Sequence, residues 1–524
     1  MNALLNSCQH LSRRKFLRNS GLLAAAGSLL PALGKAAEAQ AATGQIAEVA
    51  LDLNRIKKWD DSNGDTWDPF WADDDALYAF NCDGRGFGTK QANLAFNRFS
   101  GTSFDGLVGS QVNPMSEYGA ADERGPDHAT WKACVQECID GVFYAFVARN
   151  VYGHESHDPL TRQTSLNASL IKSHDRGLTW TRSAQENYAR PMWPGASFGA
   201  PFFVHYGRDG RQVEEDGARE FVYAVSTNGF WNDGDYLVLG RVPRRGIEHL
   251  DPAHWQYFRG GNGLDSASWT SSVFEASPIL TRPARCGQTP ITWVPSLGLY
   301  LLISWYNPEP LPSWFKPKEM RYDFHAAPHP WGPWSQVGSA SDSFLAPGHN
   351  MYGPSICAKY QAARPGETEV TMFTSGCQFE DVPSGIYKAW SIPVLLRTGQ
   401  VPAGSTLAWE SAQIARHGDW KVFPASTGRD NQALRSEAAG DRLQIALEGT
   451  GVECVARKAS GYGDFDIRID DQPAAMVSLA TRNLPELSGV SIFRKTGLAA
   501  GKHTLSLRNA GSGPVNLQRI TIYR

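Results

Sequence analysis

The first residues in this chain whose types and spacing suggest chemistry are carboxylates. Trp71-Ala72-Asp73-Asp74-Asp75 is followed by Asn81-Cys82-Asp83-Gly84, so acids flank one short apolar run. A carboxyl that gives a proton, and a second that attacks or activates water, are the minimum set for breaking a glycosidic bond. Asp73 and Asp83 are the expected catalytic pair, with Asp74 as a substrate contact and Asp75 in the hairpin turn. No metal is expected from ligand spacing, since no loop of recognisable pattern occurs. An oxygen-lined channel could still hold Ca²⁺.

These acids need a scaffold, and the chain repeats one. Ala76–Phe80, Val142–Phe146, Phe221–Val225, Gly298–Leu302 and Glu369–Phe373 look like five copies of a single strand. Their middle residues are separated by 66, 79, 77 and 71 positions, which is the length of a propeller blade with its loops. A lead-in strand precedes each copy, beginning near Trp71, Trp131, Phe198, Gln288 and Tyr352, and a third strand follows each. Helical periodicity is scarce, and short alternating runs are separated by Gly, Pro, Asn and Asp. The expected fold is all-β: a five-bladed β-propeller over residues 45–400, then a small β-sandwich over 415–524. Ser173-His174-Asp175-Arg176-Gly177-Leu178-Thr179-Trp180 matches an Asp-box, a turn device of propeller folds and not a site.

The innermost strand of every blade lines the central channel, so the repeat nominates further residues. Trp71, Asp74, His128, Lys132, Arg285, Gln288, His349, Asn350 and Tyr352 are the expected substrate contacts. Acids, amides, bases and aromatics of this kind suit sugar binding and proton transfer.

Trp71–Tyr78, the Asp83-Gly84 and Gly86-Phe87 that follow, Asp235–Pro243, Ala327–Trp334 and Tyr352-Gly353-Pro354-Ser355 carry a resemblance. Across residues 60–396 the chain resembles the DUF4185-type family of five-bladed propellers, whose wider group includes bacterial endo-D-arabinanases. The resemblance implies a glycoside hydrolase with two first-blade aspartates, which fall on Asp73 and Asp83. Around them the chain has Ala-Asp-Asp-Asp and Cys-Asp-Gly where the arabinanases tend to show Thr-Asp-Leu-Gly and Gly-Asp-Thr. Two other readings stay open. One is a polysaccharide lyase using His or Tyr with Arg or Lys to neutralise a uronate. The other is a propeller that binds glycan without catalysis.

The N-terminus reads as an address. Arg13-Arg14, an apolar stretch over 21–33 and Ala37-Glu38-Ala39 describe a twin-arginine export signal over residues 1–39. The expected partners are therefore the Tat export machinery and a carbohydrate substrate, and the expected location is periplasmic or secreted. A net charge of −3 over 524 residues gives no electrostatic reason for nucleic-acid or anionic-membrane binding. No membrane span is expected in the mature protein. Cys8 leaves with the signal. The other seven cysteines read as small core residues, with Cys357–Cys377 or Cys134–Cys138 as possible bridges.

Overall fold

The computed structural model describes residues 46–524 except 153–161, 212–218, 309–318, 347–348, 378–383, 401, 424–431 and 512. The expected export signal lies outside the described residues. Among them, no helix is long and apolar enough to cross a membrane.

Five antiparallel sheets follow one another along the chain, as the repeat predicts. Blade 1 is Phe70–Trp71, Leu77–Gly84, Ala92–Ser100 and Val108–Asn113. Blade 2 is Thr130–Ile139, Val142–Val151 and Thr164–Ser173. Blade 3 runs from Pro201–His205 through Phe221–Thr227 to Gly234–Pro243, and an insertion adds further strands against the last of these. Blade 4 is Ile291–Val294, Leu299–Tyr306, Arg321–Ala327 and Ser335–Ser341. The inner strands of blades 3 and 4 even pair in parallel, Val204 with Ile291 and His205 with Thr292.

Blade 5 closes the ring. Met351–Arg364, Glu367–Gly376 and Ala389–Thr398 are joined by Ile46–Leu51 from the other end of the chain, paired from Ile46↔Thr398 to Leu51↔Val394. A five-bladed β-propeller is the result. The seams between blades are apolar: Trp59, Phe99 and Phe373 stack between blades 1 and 5, with ring centroids 5.2 and 5.5 Å from Trp59. Buried aromatics of this size dominate core energetics. The Asp-box behaves as a turn device. Ser173 Oγ and Asp175 accept the backbone N–H groups of Gly177 and Thr179, and Trp180 packs on Phe80 and Phe96.

After the propeller come two more sheets, one of seven strands and one of three, the latter built from Lys421–Phe423, Ala433–Ser436 and Val515–Leu517. Leu434 and Leu517 from the small sheet share a buried cluster with Leu443, Ile467 and Leu507 from the large one, as a small sandwich requires. Gly404–Thr406 already pairs with the strand Arg519–Tyr523, so this unit starts before the expected residue 415. It sits on the closing seam. Glu48, on the ring-closing strand, is held by Arg397 of blade 5 and by Arg494 of the C-terminal unit, each 3.0 Å away.

The seven cysteines among the described residues are buried and free. Neither expected bridge forms, for a geometric reason. Cys134 and Cys138 share one strand, roughly 13 Å apart at strand rise, and Cys377 lies six residues beyond the partner of Cys357.

Candidate active site

The site is built where the inner strands begin. Asp65 bridges to Cys82, which places it on the strand beside Asp83. Glycines let these two strands approach. A Cβ on Gly84 would lie 2.5 Å from the Asn63 carbonyl oxygen and from the Gly64 Cα. Gly84→Ala is therefore expected to cost about 1–3 kcal/mol in urea denaturation and to displace Asp83. Wild-type stability and turnover in that variant would remove the argument for close approach. Asp83 itself is left-handed, with φ +48°, a strained conformation of the kind that collects at functional sites.

Each carboxylate has its own company. Asp83 Oδ2 accepts hydrogen bonds from the Lys132 ammonium and from the Tyr152 hydroxyl, the latter at 2.6 Å. Lys132 is only 2% exposed, so the ammonium end of this ion pair is withdrawn from solvent. Asp65 is also buried, and its Oδ2 accepts from the hydroxyls of Tyr352 and Tyr387, the latter at 3.1 Å. Burial first, and then the charge of Asp65, push the phenols of Tyr152, Tyr352 and Tyr387 well up. They remain O–H donors at any working pH.

A second cluster lies deeper. His205 stands between Asp68, with Nε2 3.1 Å from its carboxylate, and Glu137, with Nδ1 2.7 Å from its own. Burial works against charge on the imidazole. The two carboxylates outweigh it and hold His205 raised to about 10. Burial likewise raises Glu137. A bulge between Ala133 and Gln136 breaks the strand register just before Glu137, and the Gln136 amide donates to the Asp68 carbonyl.

Between the clusters is a pocket lined from all five blades. Asp68, Cys134, Phe202 and Trp231, Gln288 and Trp305, and Tyr352 to Ser355 form its walls. Several buried polar atoms here have no partner: Asp65 Oδ1, Asp68 Oδ1, Asp83 Oδ1, Gln288 Nε2 and Ser355 Oγ. Buried groups of this kind are normally satisfied, so the three on pocket-lining residues, Asp68, Gln288 and Ser355, mark a place where a polar ligand or water completes them. No set of three carboxylate, imidazole or thiol groups placed to hold a metal ion occurs among the described residues.

The expected site residues divide accordingly. Asp83, Lys132, Gln288 and Tyr352 come together at this mouth. Asn350 stands just before Tyr352, where its Nδ2 donates to Asp342 at 3.0 Å, and His349 precedes it. Asp73 is elsewhere. It occupies the turn before Leu77–Gly84, while Asp83 is near that strand's far end, about 20 Å away at strand rise. Two carboxyls that share one glycosidic bond stand no more than about 9.5 Å apart. Asp73 instead pairs with Arg176 at 2.9 Å and lies 3.9 Å from where a Gly141 Cβ would be, at the opposite end of blade 2 from Lys132. The structure does not bring Asp73 to Asp83 as the expected catalytic pair.

Trp71 and Asp74 share the Asp73 end, Trp71 bonded to Asp75 at 2.9 Å and Asp74 to Tyr78 at 2.9 Å. His128 is exposed in a turn closed onto Gly125, and Arg285 is exposed over the Tyr306 ring. Asp65, Asp68, Glu137, His205, Tyr152, Tyr387, Trp231 and Trp305 were not anticipated.

No family model matches the chain. Over 112 residues it is 29% identical to an A type blood alpha-D-galactosamine galactosaminidase of Flavonifractor plautii, covering 21% of this chain and 10% of that protein. The chain thus spans about a tenth of the length of that curated relative. Among solved structures, an exo-beta-1,3-galactanase from Phanerochaete chrysosporium aligns at 10% identity, covering 91% of this chain and 100% of the other, with a TM-score of 0.38. A GH43 protein from Bacillus licheniformis aligns at 11% identity, covering 90% and 100%, with a TM-score of 0.36. An alpha-L-arabinofuranosidase from Podospora anserina aligns at 10% identity, covering 68% and 92%, with a TM-score of 0.35.

Proposed function

We propose that this chain is a glycoside hydrolase, exported by the Tat route, that acts on a polysaccharide or oligosaccharide at the channel mouth. The observation that carries the reading is the pair Asp65 and Asp83. Asp65 is bridged to Cys82, the residue before Asp83; each carboxylate has an unpartnered oxygen, and Tyr352, which bonds to Asp65, lines a pocket with aromatic walls. The resemblance of residues 60–396 to the DUF4185-type propellers supports the same class.

Asp83 is the base, or the nucleophile. A buried ammonium and a phenol hold it ionised and fix its orientation. Asp65, whose partners are two hydroxyls and not a cation, is the proton donor to the leaving oxygen. Gln288 and Ser355 offer polar atoms to sugar hydroxyls, and Trp231 and Trp305 offer ring surface. The lyase reading loses its tyrosine base here, because the tyrosines that face the carboxylates hold their protons.

The test is release of new reducing ends by the mature protein from a panel of plant, algal and bacterial polysaccharides. Hydrolysis of at least one is expected, without the near-ultraviolet absorbance of an unsaturated product. That absorbance would mean elimination, and binding without cleavage across the panel would mean a lectin-like propeller. Either result overturns the reading.

A further inference from the structure

The pocket beyond the carboxylate pair has an unusual balance of charge. Its only charged lining residue is Asp68, which is 4% exposed and has Oδ1 unpartnered. No Lys, Arg or His lines it. The aromatic side chains of Trp231, Trp305 and Phe202 line the same pocket. Asp68 is tied to His205, but His205 also faces Glu137, so one imidazole is shared by two carboxylates. Among the described residues, that one imidazole is the only cationic side chain in contact with either Asp68 or Glu137.

Buried uncompensated charge is costly, so an occupant that supplies a positive charge is favoured over a neutral one. Aromatic faces around a carboxylate are the chemistry that recognises an ammonium group. A metal ion would instead need several oxygen, imidazole or thiol ligands, and no such set is placed here among the described residues. We infer that the pocket selects an amino sugar, its free ammonium seated against Asp68 between Trp231 and Trp305. This rests on the glycoside reading and names its substrate class.

Calorimetric titration of the mature protein with galactosamine and glucosamine, against their N-acetyl forms and against galactose and glucose, tests it. One free amine is expected to bind at least about tenfold more tightly than its neutral counterparts, the size of one charge-assisted contact. The preference should fade as pH rises through the titration of the amine itself. Asp68→Asn should abolish it. Because that change also disturbs His205, Trp231→Phe, which keeps a ring at this buried position, provides a second variant, expected to weaken the preference while remaining folded.

A parallel arm compares a partly de-N-acetylated polysaccharide with its fully acetylated form as substrates. Absence of amine preference in both arms overturns the proposal, as does Ca²⁺ displacing the amino sugar. Hydrolysis of neutral glycans without preference would sink the amino-sugar assignment and leave the hydrolase reading standing. Selective amine binding with no cleavage of any glycan would do the reverse.

Discussion

Asp83→Asn and Asp65→Asn are each expected to lower turnover of a polysaccharide by about 10²- to 10⁴-fold, the usual contribution of a positioned acid or base. Asp73→Asn should stay near wild type. Asp73 is 35% exposed and bonded to Arg176, at the far end of its blade from the pocket. The two site variants should part company on aryl glycosides with an acidic phenol as leaving group. Such a group departs without protonation, so Asp65→Asn should regain most of its activity there, and Asp83→Asn should not. Asp83→Asn also strands the buried Lys132, so its loss must be read beside a melting curve. Asp83→Glu, which keeps the charge, should restore stability more than activity. An inactive Asp73→Asn with an active Asp65→Asn would reverse the assignment.

The largest effect on stability is expected at His205. Replacing it with Asn leaves Asp68 and Glu137 buried without a shared cation, a change of about 3–5 kcal/mol in urea denaturation. The same group makes stability depend on pH. His205 binds its proton more tightly folded, at about 10, than the ordinary 6.5 of an unfolded chain. Its contribution is therefore complete below about 6.5 and declines as pH rises toward about 10. Melting temperatures across that window should fall in wild type. They should fall distinctly less in His205→Asn. Parallel curves would mean that the imidazole carries no charge in the fold.

The pattern of legible and hidden residues follows from geometry. The blades could be read because a strand buried between two others repeats its apolar alternation whatever the loops do. Lys132, Gln288 and Tyr352 are legible as lead-in residues of blades 2, 4 and 5 because the repeat phases those blades as the structure does. Blade 1 was phased too late. Only seven residues separate Trp71 from Tyr78, too few for an inner strand, a turn and half of the next strand. Moving the start back to Asn63-Gly64-Asp65 would have exposed Asp65. Glu137 and His205 offered no such signal. Each sits inside a strand of buried residues, and what sets them apart is a partner on another blade, which linear spacing does not record.

The strand that completes blade 5 comes from the front of the chain, and its partner lies some three hundred and fifty residues later. Ring closure therefore waits for nearly the whole propeller to be synthesised, a topology with long loops to organise before its contacts form. Proteolytic trimming that overran Leu51 would bare the outer edge of Ala389–Thr398. That bare edge would be open to pairing with the same edge of another molecule. Residues 46–51 thus protect the protein from self-association, although they stand far from any chemistry.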